Sequence, residues 1–536
     1  METYDFIVIG GGPGGCVSAS RLTENTNVSV ALLEAGPDRR GFLADCTAAG
    51  SAVLATKKNE SNWAFDSIPQ PGLNGRRAFH PLGRGLGGGS AINALAYVRG
   101  NRADYDEWAA LGNLGWSYND VLPYFKKSEN NQTLRDAYHG TDGPLWVEEL
   151  RTENPYHGIV TQACIEAGFT PNPDTNGEEQ EGFRLAQVMM KGGERWTTGK
   201  AYIHPHLDTR RNLSLLTQTE CTRILFEGKR AIGVEVLANG AKRIIRCRRE
   251  VIVAAGGILS AKLLQLSGVG DPQMLKPLGI EVIYALPGVG KNLKDHLDMV
   301  LGYHIPGDPN LLGLSPIAGI AMLNSIRRWR NERRGMLTTN FAELTGYLRL
   351  TPESPKPEIQ YQFVISVAVD NGRKLYVRHG ISVHVVLLHP KSAGTVTLSS
   401  PDHAAAPNID FNYLAHPDDL PVLLTGTKRM QRVFDGPTFK RLVKKDLITG
   451  HCQNDADLIQ VIRNSAGTDY HPVGTCRMGT ADDPTAVVDA RLKVHGLEGV
   501  RVVDSSIMPN IVGGNTMAPT VMIGEKGADM IKADWK

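Results

Sequence analysis

The sequence has 536 residues, which is enough chain for two or three domains with substantial apolar cores. Its 58 basic and 56 acidic residues are interspersed and leave a formal net charge of +2, so charge gives no reason to expect a nucleic acid or an anionic membrane as partner. Seven scattered cysteines without a CxxC pair predict reduced thiols in a cytoplasmic protein, with neither a disulfide framework nor a metal site.

The first predicted element is an apolar strand, Phe6–Ile9, that leads into a glycine-rich turn and a helical pattern over Cys16–Leu22. No basic-then-apolar pattern precedes it, so we expect no secretory leader, and no apolar run approaches the roughly 18 residues of a membrane span. In the turn, Gly10 permits a tight bend, Gly12 lets backbone N–H groups approach a pyrophosphate, and Gly15 lets helix and strand pack closely. This spacing predicts a dinucleotide at the helix N-terminus; a purely structural turn is the alternative.

The second predicted strand, Val28–Leu33, ends in Glu34. A carboxylate at this position can accept hydrogen bonds from a ribose diol and would repel a 2′-phosphate. The sequence therefore favours a dinucleotide other than NADP.

A second glycine-rich segment follows from His80, and five glycines lie between Gly83 and Gly89. Ordering so many glycines is costly in backbone entropy, so such loops are typical of places where the backbone lies against a ligand. We expect this loop and Asn93 to form one wall of the cofactor site; a flexible connector is the alternative. The residues after it, 91–98, predict a helix or an extended segment.

The middle of the chain alternates helical and strand patterns. Residues 105–130 predict amphipathic helix with a cap at Asn119 and Asp120, and residues 213–237 predict two strands joined at Gly228. Glu250–Ala254 is a predicted strand that passes through a turn of small residues into a helix, Ile258–Leu266. Such a turn again lets the backbone approach a cofactor.

From about residue 300 to 460 the pattern changes to that of an antiparallel sheet with flanking helices. The predicted strands are 358–367, 381–388 and 394–398, and the predicted helices are 418–445 and 455–465. Because this block contains no cofactor-like loop, we assign it to a substrate domain.

The C-terminal part returns to cofactor-like patterns. A buried strand, Arg501–Val503, ends at Asp504 and is followed by a helix, Thr520–Ile531. Ligands bind at the carboxyl ends of strands in open α/β sheets, so Asp504 is placed to contact the cofactor. The cofactor domain is therefore predicted to be discontinuous in sequence.

Together these stretches resemble the glucose–methanol–choline (GMC) family of FAD-dependent oxidoreductases. The motifs that carry the resemblance are the N-terminal glycine pattern, HPLGRGLGGGSAINALAYVRG, VIVAAGGILSAKLLQLSGVG, LPGVGKNLKDH, and the His-Pro and Asn segments near the end. The resemblance implies an α/β fold, α+β overall: a Rossmann-like FAD-binding domain with a parallel sheet, and a substrate domain whose antiparallel sheet covers the flavin ring.

The resemblance also implies roles for individual residues. Gly10, Gly12, Gly15 and Glu34 would hold the ADP part of FAD, and Cys221 would contact adenine through its backbone. Asp504 would contact the pyrophosphate and ribityl part. The residues implied to lie against the flavin are Arg84, Gly88, Ser90, Asn93, Thr516 and Met517. Ile92 occupies the position of the histidine that carries covalent flavin in some members, so we expect non-covalent FAD.

The implied catalytic residues are His471 and Asn515. Removing hydride from an alcohol carbon requires a base for the hydroxyl proton, and neutral imidazole is available near neutral pH. The Asn515 amide would orient the oxygen without titrating, because it donates and accepts but carries no charge; a turn residue is its alternative role. Asp469 departs from the apolar residue expected there, and either steers a polar substrate or faces solvent.

The expected reaction is oxidation of a small primary alcohol to the aldehyde, with hydride passing to flavin N5 and the flavin reoxidised by oxygen or another acceptor. The alternatives are a non-redox lyase of the hydroxynitrile-lyase type, an NAD-dependent dehydrogenase, and a non-enzymatic flavin-binding protein. The expected protein is a cytoplasmic monomer or homodimer. Residues 1–155, 211–297 and 464–536 are assigned to the FAD-binding domain, and residues 156–210 and 298–463 to the substrate domain.

Overall fold

The computed structural model describes residues 2–313, 316–369, 374–375 and 378–536, which build two large β-sheets and the helices around them. The first sheet is parallel at its centre, because the fully apolar run Phe6–Ile9 is buried and pairs with strands on both sides. In spatial order its described strands are Leu213–Leu216, Val30–Leu33, Glu2–Ile9, Ala241–Val253, Arg230–Ala238 and Thr219–Glu227. Val500–Val502 pairs in parallel with Ala241–Val253.

The second sheet is antiparallel throughout its described strands. In spatial order these are Lys445–Asp446, Leu297–His304, Gly380–Leu387, Ile359–Val364, Ala342–Leu348 and Gly182–Leu185, and Gly467–Thr468 also pairs with Leu297–His304. Each sheet is packed against its own apolar core, as Val8 and Val251 show in the first and Leu301 and Phe363 in the second.

Helices and small ribbons complete the described architecture. The helices are Pro13–Leu22, Phe42–Asp45, Thr47–Leu54, Arg102–Ala110, Tyr118–Ser128, Tyr156–Glu166, Gly256–Leu266, Pro272–Leu275, Pro316–Glu332, Asp419–Asp435, Pro437–Lys440, Asp455–Ser465 and Met517–Asp534. The small ribbons pair Phe65–Asp66 with Phe79–His80, Met190–Lys191 with Glu194–Arg195, Val269–Gly270 with Tyr284–Ala285, Ala368–Val369 with Lys374–Leu375, and Thr395–Thr397 with Asn408–Asp410. A three-stranded sheet joins Glu129–Asn131, Leu145–Glu149 and Gln187–Val188.

Most predicted elements are present within a few residues of their predicted bounds, and one prediction is wrong. The helix cap predicted at Asn119 and Asp120 lies at Ser117, and Asp120 instead occupies the third helical position, where its carboxylate accepts from the Ser117 N–H. Of the two alternatives for residues 91–98, the extended one is present in part: after the 3-10 turn Gly88–Ala91, Ala96 pairs antiparallel with Val188, although Leu95 has a φ of 58°.

The α/β architecture is thus confirmed, while the assignment of residues to two domains stays a proposal. Its support is that strand Gly182–Leu185, from the 156–210 segment, joins the antiparallel sheet. Strand Gly467–Thr468 also pairs with that sheet, although it lies in the segment assigned to the FAD-binding domain. No helix among the described residues combines the length and apolar character needed to cross a membrane.

Candidate active site

A cavity of about 780 Å³ is lined by residues of both sheets. Its lining runs from the N-terminal glycine turn and Glu34 to His471 and Asn515. A volume in this range is typical of cofactor and ligand sites. One void therefore joins the predicted dinucleotide-binding end to the predicted catalytic end.

The N-terminal glycines have two roles: Gly10 and Gly15 allow close packing, and Gly12 faces the cavity. A Cβ on Gly15 would lie 1.9 Å from the carbonyl oxygen of Gly10, and a Cβ on Gly10 would lie 2.5 Å from that of Ala254. Side chains are therefore excluded where helix, turn and strand meet. A Cβ on Gly12 would meet no atom closer than 3.9 Å, because Gly12 faces the cavity.

Glu34 is 6% exposed and binds three backbone amides. Its carboxylate accepts hydrogen bonds from Gly11, Gly36 and Gly85 over 2.7–2.9 Å. Burial raises its pKa, and these three donors oppose that rise. Glu34 thus holds both glycine-rich loops in place beside the cavity.

The second glycine loop contributes some of its predicted residues to the cavity and holds others away from it. Gly88 and Asn93 line the cavity, as does Ile92. The Ser90 hydroxyl donates to the Gly87 carbonyl at 2.6 Å and is buried. The Arg84 guanidinium lies 4.8 Å from the ring centre of Trp63. Arg84 and Ser90 are absent from the cavity lining, so both shape the loop.

Asp504 lines the cavity at the carboxyl end of strand Val500–Val502, as predicted from the sequence. Its carboxylate accepts from the Ser260 hydroxyl at 2.6 Å and from the Gly256 N–H at 2.8 Å. Ser506 donates to the other oxygen through its N–H and its hydroxyl. Cys221, Thr516 and Met517 also line the cavity.

His471 and Asn515 lie together at the opposite end of the cavity. The Asn515 amide nitrogen is 3.1 Å from His471 Nε2. The His471 N–H donates to Asp295 Oδ1 at 2.7 Å, and the preceding residue, Tyr470, has a φ of 69°, which is uncommon for a side chain of this size. The backbone is therefore held in an unfavourable conformation where it presents His471.

His296, which the sequence analysis did not single out, sets the hydrogen positions on His471. His296 Nε2 lies 3.0 Å from the Leu388 carbonyl oxygen and must donate to it. His296 Nδ1 lies 2.9 Å from His471 Nδ1. Because burial lowers the pKa of His296 to about 3, this ring is neutral and its Nδ1 accepts. The partners thus assign the His471 hydrogen to Nδ1 and leave a lone pair on Nε2.

Electrostatics keep His471 neutral. Burial lowers its pKa well below the ordinary value, and the neighbouring rings of His296 and His80 lower it further. At neutral pH the Nε2 atom is therefore unprotonated, with its lone pair facing the Asn515 amide.

A polar cluster borders the same end of the cavity. Asp469 Oδ2 accepts from the Gln362 amide at 2.9 Å and lies 3.4 Å from His471 Nδ1. His384 Nδ1 lies 2.5 Å from Asp298 Oδ2. Burial raises the pKa of Asp469, and the Asp298 carboxylate raises it further. Asp469 thus lies in the cavity wall beside His471 and is buried from solvent.

The sequence could not have identified His296, Gln362, His384 and Asp298 as part of this end of the cavity. Their contacts join positions as much as 175 residues apart, as for His296 and His471. The one sequence feature that pointed to this cluster was Asp469, which stands where an apolar residue was expected.

The residues present fit a dinucleotide-type flavin cofactor. Gly12 offers open space above the N-terminus of helix Pro13–Leu22, where backbone N–H groups and the helix dipole favour phosphates. Ile92 on the cavity wall has no atom that forms a covalent link to a flavin.

Comparison with known proteins identifies what this chain is similar to. A GMC oxidoreductase model for the N-terminal part matches residues 4–298, and one for the C-terminal part matches residues 390–524. The alcohol dehydrogenase (acceptor) of Pseudomonas putida is 40% identical over 532 residues, 98% of this chain and 95% of that protein. The oxygen-dependent choline dehydrogenase 1 of Chromohalobacter salexigens is 40% identical over 535 residues, 99% of this chain and 95% of that protein.

A solved structure shows the same fold over the full length. It is a variant of the Aspergillus oryzae formate oxidase, described for its FAD modification. It superimposes with a TM-score of 0.91 at 25% identity and covers 99% of this chain and 98% of its own.

Proposed function

Because this chain belongs to the GMC oxidoreductase family, we propose that it uses FAD to oxidise a small primary alcohol to the aldehyde, with His471 as the proton acceptor. The proposal rests above all on the pair formed by His471 Nε2 and the Asn515 amide, 3.1 Å apart at the cavity wall. The relatives reported above are named as dehydrogenases and an oxidase, which favours oxidation over the lyase alternative.

The residues at the other end of the cavity would hold the cofactor. Gly12 and the helix N-terminus would receive the pyrophosphate, and Glu34 would fix the loops on both sides of it. Asn93, Cys221, Asp504, Thr516 and Met517 would complete the contacts, and Ile92 would leave the cofactor non-covalently bound. When bound, FAD supplies the two-electron acceptor for the hydrogen that leaves the alcohol carbon.

His471 and Asn515 would act together on the substrate hydroxyl. The lone pair on His471 Nε2 accepts the hydroxyl proton, which prevents positive charge from building up on the carbon as its hydrogen leaves. The Asn515 amide holds the oxygen in line, since it hydrogen-bonds without changing charge. The proton gained at Nε2 leaves the Nδ1 hydrogen bond to His296 in place, so the ring keeps its orientation.

Choline is a second candidate substrate within the same reaction. The name of one reported relative suggests it, and the Asp469 carboxyl lines the cavity 3.4 Å from His471 Nδ1. A cationic head group would be attracted by this carboxyl and would favour its charged form. A preference for uncharged aliphatic alcohols, unaffected by Asp469→Asn, would contradict this candidate.

The test of the proposed function is anaerobic mixing of the holoenzyme with a panel of primary alcohols that includes choline. A substrate should bleach the flavin absorption band, whereas a lyase substrate would turn over with the flavin still oxidised. We expect His471→Ala to slow flavin reduction by at least about 10²-fold, the lower range for positioned acid–base help.

His416→Ala is the matched control, because His416 also precedes a proline but is 41% exposed as a side chain. It should leave the rate unchanged. A near-normal reduction rate in His471→Ala, with FAD still bound, would remove His471 from the proposed role. Parallel readings of peroxide and dye reduction would identify the acceptor.

A further inference from the structure

One exposed surface combines apolar and basic side chains beside the cavity. We call it the mouth surface and define it by four apolar and four basic residues: Phe42, Val53, Met322, Leu323, Lys57, Lys58, Arg327 and Arg330. Nine large apolar side chains are exposed among the described residues, and four of them lie here, at 41%, 48%, 40% and 69% exposure. Such clustering on a folded chain indicates an interaction site.

The elements that carry the mouth surface pack against each other. The rings of Phe42 and Trp329 meet edge to face with centroids 5.3 Å apart. Cys46 and Ala48 are buried in one cluster with Trp329 and Leu337. Helix Pro316–Glu332 therefore lies against the short helices between residues 42 and 54, which carry Phe42 and Val53.

The exposed face of helix Pro316–Glu332 changes from apolar to basic along its length. Leu323, Arg327 and Arg330 follow at intervals of four and three residues, so they lie on one stripe, and all three are exposed. Trp329 points inward and is 3% exposed. This arrangement is typical of helices that lie in the interface of a bilayer.

The basic charge of the mouth surface is not neutralised within the described part of the chain. Arg328 and Arg334 pair with Glu153, and Arg333 pairs with Glu194. Arg327 and Arg330, together with the exposed Lys57 and Lys58, form no ion pair with any described residue. Residues 322–334 hold five arginines and one glutamate.

We propose that the mouth surface docks on an anionic lipid bilayer. The apolar side chains would enter the boundary between head groups and acyl chains, and the unpaired basic side chains would lie at the level of the lipid phosphates. A second copy of the chain is a poorer occupant, because it would place like charges opposite each other. Met322 also lines the cavity, so docking would bring the cavity entrance to the bilayer.

The experiment is co-sedimentation of the FAD-loaded protein with vesicles of phosphatidylcholine alone or mixed with phosphatidylglycerol. We expect binding to the mixed vesicles that weakens with added salt. Replacing both free arginines, Arg327→Glu with Arg330→Glu, should lower vesicle affinity by more than about tenfold. Leu323→Ser should lower it as well, since it removes a side chain expected to insert.

Two matched control variants change side chains of the same kind at positions outside the mouth surface. Arg135→Glu with Lys276→Glu changes the net charge equally at exposed positions, and Leu114→Ser removes an apolar side chain that is 82% exposed. Both should bind vesicles normally. The proposal is overturned if the wild-type protein does not bind mixed vesicles at low salt. It is also overturned if Arg135→Glu with Lys276→Glu lowers vesicle affinity as much as Arg327→Glu with Arg330→Glu does, or if the latter pair instead abolishes a dimer.

A second measurement keeps the proposal testable if the test pair fails to retain FAD. Trypsin cleaves after arginine, so mixed vesicles should slow cleavage of the wild-type protein after Arg327 and Arg330, while phosphatidylcholine vesicles should not. Equal cleavage in both would overturn the proposal.

Discussion

His471 depends on three partners from two distant parts of the chain. Asp295 holds its backbone, His296 accepts from its Nδ1, and Asn515 meets its Nε2. The sequence identified His471 and Asn515 through a family pattern, but it did not single out His296. Nothing local to His296 reveals that its ring meets another ring 175 positions later, because that contact depends on the pairing of Leu297 with Thr468 in the second sheet.

His296→Phe should slow flavin reduction while leaving FAD bound. Phenylalanine fills a similar volume but has no acceptor for the His471 Nδ1 hydrogen, so that hydrogen is free to move to Nε2 and block the base. We expect a loss on the order of tenfold to a hundredfold, measured by anaerobic stopped-flow absorption. His384→Phe would serve as a comparison, since His384 bonds Asp298 instead; an unchanged rate in His296→Phe would show that Asn515 alone fixes the ring.

The pH dependence of flavin reduction should reflect the buried environment of His471. Because burial and the neighbouring rings lower its pKa, the unprotonated base persists as the pH falls below about 6.5, the ordinary histidine value. The rate should therefore stay constant through that value and decline only in more acidic solution. An acid limb at or above it, seen in a pH series of reduction rates, would contradict the depressed pKa.

At the scale of elements, the N-terminal strand, turn and helix form a unit whose glycines have separate duties. The sequence predicted these duties correctly at Gly10 and Gly15, because close backbone contact follows directly from the absence of a side chain. It did not predict that Glu34 would bind three amides from two loops. That arrangement depends on where the second loop lies, which no local pattern specifies.

Gly15→Ala should disrupt this unit. The added methyl would lie 1.9 Å from the Gly10 carbonyl oxygen, so strand and helix would have to separate and the phosphate-binding turn would shift. We expect loss of bound FAD and a lower thermal midpoint, read from flavin fluorescence during heating.

Gly158→Ala is the matched control for that substitution. Gly158 lies inside helix Tyr156–Glu166 and nothing is within 4 Å of its added Cβ. This change should be neutral or stabilising, since glycine costs a helix interior about 0.5–1 kcal/mol relative to alanine. Equal loss of FAD in both variants would contradict the packing argument.

At the scale of the whole molecule, a buried ion pair connects segments that are far apart in the sequence. Arg501 is 1% exposed, and its Nε lies 2.6 Å from Glu250 Oε2. Trp535 donates to the same carboxylate at 2.7 Å. The pair joins two neighbouring strands of the first sheet to the last helix.

Glu250→Gln should destabilise the protein by about 1–3 kcal/mol, because it removes the Glu250 charge from a buried guanidinium and leaves only the Asp534 carboxylate as its counter-charge. The measurement is urea unfolding followed by tryptophan fluorescence. Glu498→Gln is the control: its side chain is 72% exposed and 3.7 Å from Arg230, so it should change stability little. Similar effects of both changes would show that the buried pair contributes no more than a surface one.

The net charge of the whole molecule does not show where its charged residues lie. The formal net charge of +2 gave no reason to expect an anionic surface as partner, yet the mouth surface gathers unpaired basic residues on one side. Net charge averages over the chain and carries no information on placement. The existence of an antiparallel sheet between residues 300 and 460 was predictable, since the alternating strands there differ from the apolar run Phe6–Ile9.

The cavity takes Gly12 from the first turn of the chain and Thr516 from its last helical segment. These two contributions lie 504 positions apart in the sequence. A nascent chain therefore cannot offer the whole pocket to a flavin before Thr516 has been synthesised and has joined the fold.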